Sequence, residues 1–133
     1  MRVDDVLECC IYAADVEVSG AFYRDVIGLE SFSTAAGRHE FFRCGDRVFL
    51  LFNPERTAAS EDVPPHGANG PGHVAFSIAE DGMPAWREHL DRCGVRIERE
   101  VEWPSGARSI YLRDPAGNSV ELAPVRIWDR VLR

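Results

Sequence analysis

The chain contains no lysine: all 15 of its basic residues are arginine. That absence removes Schiff-base chemistry, a lysine general base and the phosphate-binding lysine of a P-loop. No nucleotide cofactor is expected. No apolar run approaches the roughly 18 residues a membrane span requires, and the N-terminal MRVDD lacks the apolar core of a signal peptide. The expected compartment is the cytoplasm. Positive charge is not in surplus either. The net charge of −7 disfavours binding along a phosphate backbone, so neither nucleic acid nor a membrane is an expected partner. Cysteine is scarce and unpatterned. Cys9, Cys10, Cys44 and Cys93 show no CxxC spacing, which argues against a structural zinc site. The expectation is small buried thiols in a reducing compartment, with Cys9 and Cys10 on opposite faces of a strand.

What is present suits a globular fold. Hydrophobic residues make up 45% of the chain and charged residues 28%, a balance that argues against disorder, and 133 residues can bury a core without staples. Residues 7–13 read as a strand and 16–27 as a helix, with Asp15 as N-cap and Gly28 at the left-handed closing position. Three β-prone runs follow at 29–34, 40–44 and 48–52, separated by Ala-Ala-Gly and Gly-Asp turns. Residues 53–72, rich in Pro, Gly, Ala and Ser, read as a long connector.

The same order then returns: a strand at 73–78, a helix at 83–93 with Pro84 in its first turn and Gly94 closing it, and strands at 95–101, 107–113 and 119–123. His73 stands to Glu8, and Gly94 to Gly28, at offsets of 65 and 66 positions. One βαβββ unit therefore occurs twice. The expected organisation is a single α+β domain, 1–133, with module one at about 5–54, a connector at 55–71, module two at about 72–126 and a tail at 127–133. Residues 125–133 are expected to form a short helix or a packing arm.

The segments CIYAADVEVSGAFYRDVIGLE, GPGHVAFSI, GVRIE and RDPAGNSVELAP carry a resemblance. They resemble the vicinal oxygen chelate superfamily, which embraces glyoxalases, bleomycin-binding proteins and ring-cleaving dioxygenases, and the match runs from about Leu7 to Pro124. The resemblance implies two βαβββ modules forming a curved, barrel-like mixed sheet with helices outside, and a homodimer. Because members differ widely in activity, fold does not choose a function.

Strand alternation narrows the chemistry independently. Glu8, Cys10 and Tyr12 share one face of the first strand; His73, Ala75 and Ser77 share one face of its counterpart; Glu121 lies with Ser119 and Ala123. The opposite, apolar faces are expected to pack on the helices through residues such as Phe22 and Trp86. Glu8, His73 and Glu121 are then the polar groups aimed into one cup, a donor set suited to zinc, manganese, nickel, cobalt or iron. In the metalloenzymes the chain resembles, ligands lie on the first and last strands of each module. His73 and Glu121 match two such positions, and Glu8 stands where His or Gln is usual. The fourth position falls at Leu50, which cannot ligate. Glu8 likewise breaks the dioxygenase pattern of two histidines and a carboxylate.

Tyr12, Ser77, Arg113 and Leu50 are candidate substrate contacts, and Tyr111, with Glu121, a candidate catalytic residue. Phe32, Phe41, Phe42, Phe52 and Trp103 are candidates for an aromatic lining or for core. His66 reads either as a lid over the cup or as part of a plain turn. Three functions stay open: a divalent-metal enzyme of lyase, isomerase or thiol-transferase type acting on a small oxygen-chelating substrate; a metal-free protein that binds a basic drug; and an iron-dependent ring-cleaving dioxygenase.

Overall fold

The computed structural model describes residues 1–129 and 131. It resolves into two compact units, Met1–Gly70 and Pro71–Arg133. In the first, strands β1 (Glu8–Tyr12), β2 (Glu30–Ala35), β3 (His39–Cys44) and β4 (Arg47–Phe52) form a sheet in the order β1-β4-β3-β2. In the second, β5 (His73–Ser77), β6 (Arg99–Glu102), β7 (Arg108–Arg113) and β8 (Ser119–Ala123) repeat the plan as β5-β8-β7-β6. In each sheet the first strand pairs parallel with the last and the remaining pairs are antiparallel. A parallel pair requires a crossover, which the intervening helix and hairpin supply. The duplication read from the sequence is thus a duplication of topology. Among the described residues no helix is long and apolar enough to cross a membrane.

The first helix begins where its cap predicts: the Asp15 side chain accepts from the Val18 amide, and α1 spans Val16–Phe22. It then widens into a π turn, Tyr23–Ile27, rather than running as one α-helix, and Gly28 closes it at φ 83° with its amide on the Tyr23 carbonyl, five residues back. The turn seats Tyr23 in full burial against Phe42, Phe49 and Phe22, the ring centroids 6.0, 4.9 and 5.2 Å away. Ile11, Leu51, Val16 and Ile27 complete this core.

Two expectations are corrected on the first strand. Leu7 is 75% exposed and Cys9 is exposed as well, so the apolar face packs only from Ile11 onward. β1 is an edge strand, and its N-terminal end has a neighbour on one side only. The cysteines are not buried thiols: Cys9, Cys10 and Cys93 are exposed and Cys44 half-buried, all unpaired. Cys93 is exposed because it caps the end of the helix α3 (Met83–Arg92), which buries Met83 and Leu90 while Trp86 stays half-buried.

Further differences are local. The connector holds a short helix, α2 (Pro54–Ala58), capped by Asn53, whose side chain accepts from the Glu55 amide. Residues 95–98 are not strand. Gly94 at φ 69° lets the Val95 amide fold back onto the Leu90 carbonyl, a Schellman closure that delays strand pairing. The tail begins as a 3₁₀ turn at Val125–Trp128, and positions 130, 132 and 133 lie outside the described residues.

One charged residue sits on the helix-packed face. Glu40 is 3% exposed and accepts two hydrogen bonds from Arg24 Nη1, at 2.5 and 2.6 Å. Gly20 makes room for it, since a Cβ there would collide with the Glu40 carboxylate. Gly20→Ala should therefore destabilise the fold by about 1–3 kcal/mol, read by thermal denaturation, with a much smaller cost in a Glu40→Ala background.

Candidate functional site

In the second unit the register sets Arg99, Tyr111, Glu121 and Ala75 side by side across β6, β7, β8 and β5, and Arg113, Ser119 and His73 in the next row. His73 Nε2 lies 3.4 Å from Glu121 Oε2. The other imidazole nitrogen, Nδ1, is 3.1 Å from the Ser119 carbonyl and 3.2 Å from its hydroxyl. A carbonyl only accepts, so Nδ1 donates to Ser119, and Nε2 is the nitrogen that faces Glu121. Glu121 is 5% exposed, and its Oε1 accepts a 2.5 Å hydrogen bond from the Ser109 hydroxyl, which in turn accepts from Trp103 Nε1 at 2.8 Å. The carboxylate is thus held in one orientation by a buried relay. Tyr111 lies near-parallel to the His73 ring, centroids 6.3 Å apart. Burial, and then hydrogen bonding and charge from Glu121, push its phenol above the usual tyrosine range.

The turn between β7 and β8 fixes the register. Asp114 Oδ1 accepts from the amides of Ala116 and Asn118 at 3.0 and 2.8 Å, and Asn118 Nδ2 donates to Asp114 Oδ2 at 2.9 Å. Asn118 Oδ1 then accepts from the Gly72 amide at 2.7 Å, while the Ser119 amide donates to the Gly72 carbonyl at 2.9 Å. The DPAGN turn therefore pins the residue before His73 to the residue before Ser119. It is what sets the imidazole opposite its carbonyl.

The first unit carries a different surface. A cleft of about 730 Å³ is lined by Glu8, Cys10, Tyr12, Leu50 and Phe52, with Phe32, Phe41, Val48 and the connector residues Val63, Pro64 and His66. His66 does not sit in a plain turn: its Nδ1 is 2.6 Å from the Tyr12 hydroxyl and its ring meets Phe52 edge-on at 5.0 Å. Cys10 Sγ lies 3.6 Å from the same hydroxyl. Burial first, then the Cys10 contact, push the Tyr12 phenol from 10.0 up to about 12. A raised phenol favours the neutral form in the folded state. Its contribution is complete below the ordinary value and is lost as pH rises through about 12. Denaturant midpoints should accordingly fall more steeply above pH 10 for the native chain than for Tyr12→Phe.

The model of the Glyoxalase/Bleomycin resistance protein/Dioxygenase superfamily matches residues 5–122. The chain belongs to this superfamily. It is 30% identical over 119 residues to a metallothiol transferase FosB of Bacillus licheniformis, covering 89% of this chain and 73% of the relative. It is also 30% identical over 112 residues to a glutathione transferase FosA of Serratia marcescens, covering 82% and 72%. Among solved structures, a lactoylglutathione lyase from Agrobacterium tumefaciens superposes with a TM-score of 0.90 at 36% identity, covering 96% of this chain and 98% of that one.

Within this superfamily member, the fold brings His73, Glu121 and Tyr111 together, with Ser77 at the far end of β5 on the same face. Arg113 is already engaged, giving 2.5 and 3.1 Å bonds to Glu98 and a further one to the Gly117 carbonyl. Glu8, Tyr12 and Leu50 belong to the first unit. Among the described residues no group of three His, Cys, Asp or Glu side chains converges as a metal-ligating cluster. Ser109 and Asn118 are not among the sequence candidates: strand alternation places Ser109 on the face of Tyr111, whereas Asn118 reads only as a turn residue.

Proposed function

We propose that this superfamily member is a divalent-metal-dependent enzyme of lyase, isomerase or thiol-transferase type acting on a small oxygen-chelating substrate. The observation that carries the proposal is the His73–Glu121 pair. Donor atoms about 2.1 Å from one ion are separated by roughly 3.0–3.4 Å in octahedral or tetrahedral sites, and these donors stand 3.4 Å apart. The imidazole is held through Nδ1, the carboxylate is pre-oriented, and both side chains have the hydrogen-bonded supports that metal ligands usually carry. The names of the relatives, a metallothiol transferase and a lactoylglutathione lyase, favour the same chemistry.

A divalent ion held there supplies Lewis acidity toward a chelated substrate oxygen. The chain's own residues do the rest. Ser109 and Trp103 keep Glu121 Oε2 turned toward His73. Tyr111, protonated across the working pH range, is the proposed proton carrier at the reacting centre. Ser77 and Arg113 are the proposed substrate contacts. The proposal includes a homodimer, which sedimentation would size.

Protein purified without added metal should carry close to one equivalent of a divalent ion, and a chelator should remove both the ion and any thiol-consuming or isomerising activity. Ser109→Ala should weaken metal affinity about 10–100-fold while leaving the ligands in place. A second reading, metal-free capture of a basic drug, draws on the aromatic first-unit cleft and its carboxylate, Glu8. Saturable calorimetric binding of a basic glycopeptide drug by metal-free protein, with no ion bound on isolation, would favour it instead.

A further inference from the structure

Arginines of the second unit are mostly spoken for. Arg87 pairs with Glu100, Arg108 with Glu102, Arg113 with Glu98 and Arg126 with Glu80. Arg99 is different. It stands on β6 directly across from Tyr111, on the face that carries Glu121, and it lines a 330 Å³ pocket with Glu98, Val101, Tyr111, Arg113 and Ser119. The one carboxylate in that lining, Glu98, spends both oxygens on Arg113. Arg99 lies within range of its charge but makes no hydrogen bond or ion pair among the described residues.

We infer that Arg99, with the Ser119 hydroxyl and beside the Tyr111 ring, forms a subsite for an oxyanion, a carboxylate or phosphate-type group on the substrate. The five donors of a guanidinium match the paired oxygens of such groups, and the Ser119 hydroxyl adds a further donor from the same wall. Tyr111 lies between Arg99 and Glu121 in the cross-strand row, and Ser119 touches His73, so an anion anchored here leaves the rest of a small substrate beside the His73–Glu121 pair. The pocket volume suits a small molecule. That the anion belongs to a substrate rests on the proposed metal-enzyme reading; that it binds does not.

The test uses chelator-treated full-length protein titrated separately with inorganic phosphate and with acetate, following the arginine side-chain NH and tyrosine ring signals by NMR. At least one anion should bind saturably, shifting the Arg99 and Tyr111 signals, and Arg99→Ala should weaken that binding about tenfold or more. Arg96→Ala, an exposed neighbour outside the pocket lining, should leave it unchanged. Phosphate alone would mark a tetrahedral oxyanion and acetate alone a carboxylate, either one supporting the subsite. Absence of saturable binding, or equal binding by native and Arg99→Ala protein, overturns it. Metal titration of Arg99→Ala separates the two readings: normal metal uptake with lost anion binding supports the subsite and leaves the metal site standing.

Discussion

His73→Ala should lower divalent-metal affinity by at least about a hundredfold and remove metal-dependent turnover, while leaving the fold almost as stable as before. The first expectation follows from deleting a ligand whose mere orienting partners are commonly worth 10–100-fold. The second follows from exposure. The His73 side chain is 51% exposed, so its loss opens no cavity, and the buried Glu121 carboxylate keeps its hydrogen bond from Ser109. Metal titration monitored by calorimetry, paired with a thermal melt, separates the two effects. A variant that binds metal normally would remove His73 from the site. A variant that binds no metal because it is unfolded would show it in the melt.

Asn118→Ala should act the other way round, first on stability and through it on the site. Asn118 is 2% exposed and links Asp114 Oδ2 to the Gly72 amide. Truncation leaves that amide without its side-chain acceptor and a buried carboxylate oxygen short of a donor. The expected cost is about 2–4 kcal/mol, or roughly 10 °C in melting temperature. Below the melt, metal affinity should also fall about tenfold, because the clamp that sets His73 opposite Ser119 is loosened. Equal stability of variant and native chain in a denaturant titration would show that the turn does not fix the register.

The repeat was readable because its signals are local and periodic. Asp15, Gly28, Pro84 and Gly94 punctuate the helices in each copy, and each does in the structure what its residue type favours. His73 and Glu121 were reachable by alternation, since strands β5 and β8 follow period two without a bulge. What escaped depends on contacts made far along the chain or on competing local signals. The Asn53-Pro54 pair that starts α2 is a good helix opening, but a long Pro- and Gly-rich stretch follows and masks it. Glu40 breaks the apolar pattern of its face because Arg24 and the missing Cβ of Gly20 accommodate it, a combination no single window contains. The Trp103–Ser109–Glu121 relay joins a loop and two strands, so residue type alone did not announce it. The apolar pattern places Leu7 and Cys9 in the core, whereas their position at the end of an edge strand leaves them exposed.

Whether His73 and Glu121 hold one divalent ion between them can be read crystallographically. Crystals of the chain soaked in manganese would be examined by anomalous difference density. A peak is expected about 2.0–2.2 Å from both His73 Nε2 and Glu121 Oε2, lost in crystals of His73→Ala. Density elsewhere on the chain, or a His73–Glu121 pair that stays closed as a simple hydrogen bond at saturating metal, would contradict it.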